Sequence, residues 1–293
     1  MNKLENKYYT KWLVLPAFLL FLVFFIIPNL ASFVMGFTDW SLFYFDEPRW
    51  NGLDNFKRLF SEKNFWICVK NTFYFSVVTV LGKNILGFLM ALLVQGEGRY
   101  KHFLRAAFFL PITISSLVVA IIFVSIYNPT NGLLNNLLSA VGLGKLGVDW
   151  LHTKGVALNA VCVMELWQQV GYTMCICLAG MESVPAEYYE ASKIDGAGYW
   201  QRVFKVTIPL MVQSLTVSVM LSIISGIKVF AQIYGTTNGG PADSTQVLST
   251  FLYKSFGNGY LGYSSAVGLF MTLLISVLTF TVVIIMRKKE VEM

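Results

Sequence analysis

Four polar side chains lie close together in an otherwise apolar stretch of this 293-residue chain. They are Glu165, Gln168, Gln169 and Tyr172. Their spacing of i, i+3, i+4 and i+7 places them on one face of a helix. A carboxylate and two amides can bind polar groups through hydrogen bonds, and Trp167 is nearby. Such polar groups are costly inside an apolar segment, so the stripe predicts a face turned toward a cavity or toward other polar groups.

Two other apolar segments carry polar residues that could line the same cavity. Lys83 falls near the middle of one segment, where an ionisable group costs about 2.5–3.5 kcal/mol. The second segment has a polar face at steps of three and four, formed by Ser214, Ser218, Ser222, Ser225, Lys228 and Gln232. From these we add Lys83, Ser225, Lys228 and Gln232 to the residues predicted to line a ligand path through that cavity. Two alternatives stay open: the serines only allow close helix packing, or Lys83 and Glu165 form an ion pair that serves only the fold.

The composition identifies the surroundings of these residues. Hydrophobic residues make up 56% of the chain and charged residues only 13%, with a mean hydropathy of +0.61. A soluble domain carries about 25% charged residues. The chain is therefore predicted to be an integral membrane protein surrounded by lipid. Its net charge of +6 is spread along the sequence and predicts no nucleic-acid partner.

Six segments are long and apolar enough to cross a bilayer, which takes roughly 20 residues as a helix. Nothing alternates in the manner of a membrane β-barrel. We predict an all-α membrane protein with one transmembrane domain over residues 1–293. The predicted spans are about 12–35, 69–94, 103–127, 156–180, 210–231 and 263–286.

The basic residues predict how these spans are oriented, because cytoplasmic loops are enriched in Lys and Arg. With both termini in the cytoplasm, the inner side carries Lys3, Lys7, Lys11, Arg99, Lys101, Arg105, Lys193, Arg202, Lys205, Arg287, Lys288 and Lys289. The outer side then carries Arg49, Lys57, Arg58, Lys63, Lys145, Lys154 and Lys254. This bias favours a multi-pass protein with both ends inside and the loop 181–209 in the cytoplasm.

The loop 181–209 is predicted to be ordered. Ser183 and Pro185 stand where a helix over 186–194 would begin, with a capping hydroxyl and a proline in the first turn. The sequence from Asp195 to Gly198 breaks that helix. A second short helix is predicted to follow, with one apolar face formed by Tyr199, Trp200, Val203 and Phe204. Two readings remain open: a helix lying on lipid headgroups, or a helix fitting a groove on a cytoplasmic partner.

A family resemblance favours the second reading. The residues Glu190-Ala191-Ser192, Asp195-Gly196-Ala197, Phe204 and Ile208-Pro209 resemble the EAA motif of ATP-binding-cassette (ABC) importer permeases. The resemblance implies a coupling helix that sits in a cleft of a separate ATPase subunit. The coupling residues implied are Glu190, Ala191, Asp195, Gly196, Ala197, Trp200 and Phe204.

Other segments resemble the carbohydrate branch of that family, which includes the MalF-like permeases of multiple-sugar and glycerol-phosphate systems. They are Gly52-Leu53-Asp54-Asn55-Phe56, Phe109-Leu110-Pro111, Leu178-Ala179-Gly180-Met181 and Thr237-Asn238-Gly239-Gly240-Pro241. The resemblance implies a type I importer permease fold in a bacterial cytoplasmic membrane. It also implies a second, different permease subunit, two ATPase subunits, an external sugar-binding protein and a carbohydrate substrate.

The chain itself is predicted to be neither an enzyme nor a cofactor or metal-binding protein. Its best glycine-rich candidate, Gly142-Leu143-Gly144-Lys145-Leu146, lacks the spacing and the hydroxyl of a phosphate-binding loop. ATP and Mg²⁺ would therefore be bound by partner subunits. A transporter driven by an ion gradient would explain the charges inside the spans but not the ordered loop. A non-transporting membrane scaffold would explain the polar stripes as packing only.

Overall fold

The computed structural model describes residues 14–288, and these residues form helices and turns without a strand. The predicted inner residues Lys3, Lys7, Lys11 and Lys289, and the first two residues of the predicted span 12–35, lie outside the described part. The helices, in chain order, are α1 (Leu15–Met35), α2 (Asp54–Ser61), α3 (Lys63–Val94), α4 (Arg99–Phe109), α5 (Ser116–Ile126), α6 (Leu133–Ala140), α7 (Ala157–Glu182), α8 (Ala186–Ile194), α9 (Tyr199–Leu210), α10 (Val212–Ile227), α11 (Ala231–Thr236), α12 (Leu248–Gly257) and α13 (Leu261–Arg287).

The all-α membrane prediction is confirmed. Helices α1, α3, α7 and α13 are each long and apolar enough to cross a membrane. Two bent helix pairs bring the number of candidate spans to six in the described residues. Helices α3 and α7 are partly buried in protein, whereas the apolar side chains of α1 are exposed. The exposed side chains of α1 suit a lipid environment, because lipid accepts apolar surface without cost.

One span that the sequence presented as a single helix is broken, since the predicted span 103–127 is bent by 97° between Thr113 and Ser116. The predicted span 210–231 ends at Ile227, and a bend of 74° at Met211 marks its start, close to the predicted boundary between the loop helix and the span. A proline stands two residues or so before each break, Pro111 in the first and Pro209 in the second. Proline cannot donate the backbone hydrogen bond that continues a helix, so each span bends near it.

The described residues form two compact units. One contains the described part of Met1–Glu62 together with Leu252–Phe270, and the other contains Lys63–Phe251 with the described part of Met271–Met293. That the whole chain acts as one domain stays a prediction.

Close packing of α3 against α7 forms the centre of the larger unit. A Cβ atom at Gly82 would lie 2.6 Å from the Leu166 side chain, and one at Gly87 would lie 3.0 Å from the Met174 backbone nitrogen, so the glycines leave room for the helices to pack closely. Small residues of this kind commonly let membrane helices pack by direct contact. Buried side chains fill the space on both sides of this contact, including Phe75, Met164 and Met174. This pairing fixes the position of the polar residues on α3 and α7.

Candidate functional site

The first candidate site is the segment containing α8 and α9. Helix α8 has the predicted bounds, 186–194, but its start is not capped by Ser183. The Ser183 hydroxyl donates to the Gly180 carbonyl oxygen at 2.8 Å, at the end of α7. That part of the prediction is wrong because Ser183 belongs to the helix before it. Pro185, in an extended conformation, is the residue that precedes α8.

The end of α8 depends on glycine at position 196. The Ala197 amide donates to the Ser192 carbonyl oxygen at 2.9 Å, and the Gly196 amide donates to the Lys193 carbonyl oxygen at 3.1 Å. This pair of bonds is the Schellman motif, which requires a left-handed residue after the helix. Gly196 has a φ of +77°, which glycine adopts without the steric cost that a Cβ atom brings. The motif turns the chain sharply from α8 toward α9.

Helix α9 is fixed to the rest of the segment at both ends. The Gly198 amide donates to Gln201 Oε1 at 2.9 Å, which satisfies one of the free amides at the helix start. The Thr207 hydroxyl lies 3.3 Å from the Tyr189 hydroxyl on α8. The prediction that Val203 shares the aromatic face is wrong, since Val203 is buried and the aromatic side chains are exposed. Val203 instead packs toward the protein beside Thr207, which is also buried.

The exposed side chains of α8 and α9 form an apolar surface. We call it the loop surface and define it as Tyr188, Ile194, Tyr199, Trp200 and Phe204. Ile194 is 87% exposed, and the rings of Trp200 and Phe204 stack with centroids 6.2 Å apart. Exposed apolar residues of this kind suit contact with another apolar surface, either that of a protein partner or that of lipid.

The predicted coupling residues lie in and around the loop surface. Glu190, Ala191, Asp195 and Gly196 are exposed, and Ala197 is half-buried. Tyr188 and Ile194 were missed from the sequence, although Ile194 stands out as an aliphatic residue within the polar run Ser192–Asp195. The structure thus gathers the predicted residues on one accessible segment.

The second candidate site is a buried network between four helices. Lys83 on α3 lies 3.2 Å from Glu165 Oε1 on α7, and both side chains are 2% exposed. The Lys83 ammonium also donates to Ser225 Oγ on α10 at 2.8 Å. Gln232 Nε2 on α11 donates to Glu165 Oε2 at 2.6 Å. We call these four residues, predicted separately from the sequence, the buried network.

A second set of bonds joins α3 to α10, through Asn84 next to Lys83 and through serines one and two helical turns before Ser225. Asn84 Nδ2 donates to Ser222 Oγ at 3.2 Å, and Ser218 Oγ donates to Asn84 Oδ1 at 2.7 Å. The sequence left open whether these serines only allow close helix packing, and in the structure their hydroxyls also bond across the helix pair. Each hydrogen-bond partner would otherwise be a polar group in an apolar interior, which is costly. The α3–α10 contact is therefore held by polar bonds at two levels.

The rest of the predicted stripe does not join the buried network. Gln168 is 1% exposed and donates from Nε2 to the Ile114 carbonyl oxygen at 2.9 Å, in the break between α4 and α5. This bond satisfies a carbonyl that the broken helix leaves free. Gln169 is half-buried, and Tyr172 and Lys228 are exposed. A cavity of about 410 Å³ beside this stripe has mainly apolar walls, including Trp167.

Comparisons with known proteins show what the chain as a whole is similar to. A model of the family described as "Binding-protein-dependent transport system inner membrane component" matches residues 83–290. The chain is 35% identical to a probable ABC transporter permease protein, YurN, of Bacillus subtilis (strain 168), over 94% of this chain and 95% of that protein. It is 32% identical to a probable starch degradation products transport system permease protein, AmyD, of Thermoanaerobacterium thermosulfurigenes, over 96% and 95%.

The chain is also similar to chains of solved ABC transporter structures. One structure is that of a bacterial ABC transporter involved in the import of the acidic polysaccharide alginate, with a TM-score of 0.81 at 25% identity over 98% of this chain and 99% of that chain. Another shows a bacterial alginate ABC transporter in complex with an alginate pentasaccharide-bound periplasmic protein, with a TM-score of 0.80 at 25% identity over 96% of each chain.

Proposed function

Because this chain belongs to the family of binding-protein-dependent transport system inner membrane components, we propose that it is a permease subunit of a carbohydrate importer driven by ATP. The observation that carries the proposal is similarity over nearly the full length to a starch-product permease and to a chain of the alginate transporter. The chain forms half of the pathway across the membrane, and a homologous, different permease subunit forms the other half.

The loop surface is the proposed docking site for an ATPase subunit. Its stacked aromatic rings and the exposed Ile194 offer the kind of apolar anchor that dominates binding energy at protein interfaces. Glu190, Ala191, Asp195, Gly196, Ala197, Trp200 and Phe204 carry the coupling. ATP and Mg²⁺ bind to two such ATPase subunits, one for each permease. This arrangement requires α8 and α9 to lie in the cytoplasm, with both chain termini on the same side.

The sugar path runs beside α7. The polar atoms of Lys83, Glu165, Ser225 and Gln232 are used largely among themselves, so these residues support the path by fixing α3, α7, α10 and α11 together. Gln169 and Tyr172 are more accessible and are better suited to contact a passing sugar. Gln168 holds the break at Ile114, and the exposed Lys228 reaches toward the outer headgroups.

ATP-dependent uptake is the direct test. The permease pair, its ATPase subunits and the sugar-binding protein are reconstituted in liposomes, and entry of radiolabelled sugar is measured. Uptake should require ATP and the binding protein, and should persist when the proton and sodium gradients are collapsed. Uptake that stops on collapse of the gradients would instead identify a secondary transporter. ATPase activity that no loaded binding protein stimulates would favour the scaffold.

A further inference from the structure

The smaller unit contains a preformed cavity, and none of its lining residues belongs to the buried network or the loop surface. It has a volume of about 690 Å³ and lies between the segment after α1, helix α2 and the residues around the start of α13. Ligand pockets for small molecules commonly have volumes of about 300–1,000 Å³. On the proposed topology, every segment that lines it is on the outer side of the membrane.

Backbone hydrogen bonds hold the cavity walls in place. The Leu42 amide donates to the Gly259 carbonyl oxygen at 2.8 Å, and the Gly262 amide donates to the Trp40 carbonyl oxygen at 2.8 Å. The Asn55 side-chain amide, which is 8% exposed, donates to two backbone carbonyls, those of Gly36 and Thr38. Walls joined in this way are fixed before a ligand arrives, which lowers the entropic cost of binding.

Aromatic side chains supply flat apolar walls. Trp40, Phe43, Tyr44 and Tyr260 line the cavity, and Tyr44 is 75% exposed. The Trp40 ring already has its polar atom satisfied, since Nε1 donates to the Phe45 carbonyl oxygen at 3.0 Å. Such rings combine a large apolar surface with a polar edge. They suit a ligand that has both apolar faces and hydroxyl groups.

The polar groups in the cavity are mainly hydrogen-bond acceptors. Asp39 and Asp54 contribute carboxylates, which accept hydrogen bonds and cannot donate when ionised. Asn51 also lines the cavity, although its Oδ1 atom is closed off from it. A ligand rich in hydroxyl donors would satisfy the two carboxylates.

The charges favour a neutral ligand over an acidic one. Two carboxylates face one guanidinium, that of Arg58, among the lining residues. The Arg58 guanidinium lies over the Tyr260 ring at 5.2 Å and the Tyr263 ring at 4.7 Å, where the ring faces attract its charge. Lys57 is paired with Asp54 at 2.8 Å, but both side chains are largely exposed and such pairs contribute little. A negatively charged ligand would be repelled by Asp39 and Asp54.

We propose that this cavity binds a neutral saccharide, stacked on Trp40 and Tyr44 and hydrogen-bonded to Asp39 and Asp54. The proposal rests on the proposed function for the choice of a sugar among hydroxyl-rich ligands. The site then holds sugar on the outer side of the membrane. It also separates this chain in substrate class from the alginate transporter, whose named cargo is an acidic polysaccharide.

Direct binding to the full-length chain in lipid nanodiscs tests the site without ATPase subunits or binding protein. The probes are maltotriose, cellotriose, mannotriose, xylotriose and chitotriose at millimolar concentrations, with trigalacturonate as the acidic comparison. Isothermal titration calorimetry should detect at least one neutral trisaccharide and no trigalacturonate. Tyr44→Ala should weaken the neutral binding by about tenfold, as loss of a ring contact predicts. Asp54→Asn should weaken it without unfolding the chain.

Tyr100→Ala is the matched control, because Tyr100 is 72% exposed and lies outside the cavity, so its loss should leave binding unchanged. Failure of all five neutral sugars to bind would overturn the inference, as would binding that neither Tyr44→Ala nor Asp54→Asn weakens. Tighter binding of trigalacturonate would overturn the assignment to neutral sugars. ATP-dependent uptake by the assembled complex is measured separately, so the proposed function can hold while the cavity proposal fails.

Discussion

The buried network and the loop surface use their side chains in opposite ways. In the buried network, Lys83 and Glu165 are almost fully enclosed and bonded to partners within the chain. In the loop surface, Ile194 and Trp200 are large apolar residues left open to the surroundings. A group that is satisfied internally fixes the fold, whereas a group that is left unsatisfied invites a partner. Substitutions should therefore damage folding in the first region and assembly in the second.

The largest effect is expected from removing one charge of the buried pair. Glu165→Met leaves the Lys83 ammonium buried without its counter-ion, which costs about 3–5 kcal/mol. The double variant Lys83→Met with Glu165→Met should recover most of that loss, since no charge is then buried alone. Thermal unfolding of the purified permease in detergent measures both. Equal destabilisation by the single and double variants would contradict the idea that the pair acts as one unit.

A milder change at the same place separates fold from transport. Glu165→Gln also removes the counter-ion of Lys83, but it keeps the shape and one amide oxygen that can accept a hydrogen bond from Lys83 or Gln232, so it should destabilise the fold less than Glu165→Met. If the residue also serves the sugar path, uptake should fall in Glu165→Gln while the complex assembles and retains its basal ATPase activity. Loss of the assembled complex would instead assign Glu165 to the fold alone.

Removing an anchor from the loop surface should leave folding intact and weaken assembly. Trp200→Ala should reduce ATPase binding by about 2 kcal/mol, or roughly 30-fold, while the melting temperature hardly changes. Co-purification and equilibrium binding of the ATPase subunit measure the effect. Trp66→Ala is the matched control, because Trp66 is 52% exposed against 58% for Trp200 and also packs on a neighbouring aromatic ring. Similar losses in the two variants would refute the assignment of the loop surface.

A backbone change in the loop should have a smaller effect. Gly196→Ala forces a Cβ atom into a left-handed conformation and should cost about 1–2 kcal/mol locally. Hydrogen exchange should show faster opening of the last turn of α8, and ATP hydrolysis should become less tightly linked to uptake. Gly198→Ala is the control, since Gly198 has a φ of −67°, which alanine adopts freely.

The smallest effect on stability is expected at the exposed pair of His152 and Asp149, in contrast to the buried pair of Lys83 and Glu165. Partial burial raises the pKa of Asp149, but hydrogen bonds from His152 and Leu151 outweigh it and keep that pKa below its ordinary value. The stabilisation is therefore present above the ordinary pKa of an aspartate and is lost as the pH falls through the lowered value. His152→Ala should move the pKa of Asp149 upward, as a carboxyl titration by infrared spectroscopy can show. Stability at neutral pH should change little, because the pair is exposed.

Sequence patterns predicted the helices well where one physical signal decided the outcome. The length and hydropathy of α3, α7 and α13 were sufficient, as was the glycine break after α8. The bend in α4–α5 was not predicted, since a proline within an apolar run is compatible with either a straight or a broken span. The division between α9 and α10 was predicted, because the loop helix ended before Pro209 and the span began after it. Val203 was misplaced because residue spacing defines a face but does not say which face meets the protein. The sequence could suggest Glu165 as a partner of Lys83. It could not predict the bond from Lys83 to Ser225, because that bond depends on packing between distant segments.

The 74° bend at Met211 joins the two regions that were compared above. Helix α9, which carries Trp200 and Phe204, passes directly into α10, which is attached to α3 through Ser225 and Lys83. From Val212 to Ser225 this arm is about 20 Å long at 1.5 Å per residue. A rotation of about 10° around that attachment would move the arm's other end by roughly 3–4 Å on this length. The bent helix pair can thus act as a lever. Its pivot is the contact between Ser225 and Lys83 in the interior, and its free end is α9 with the loop surface.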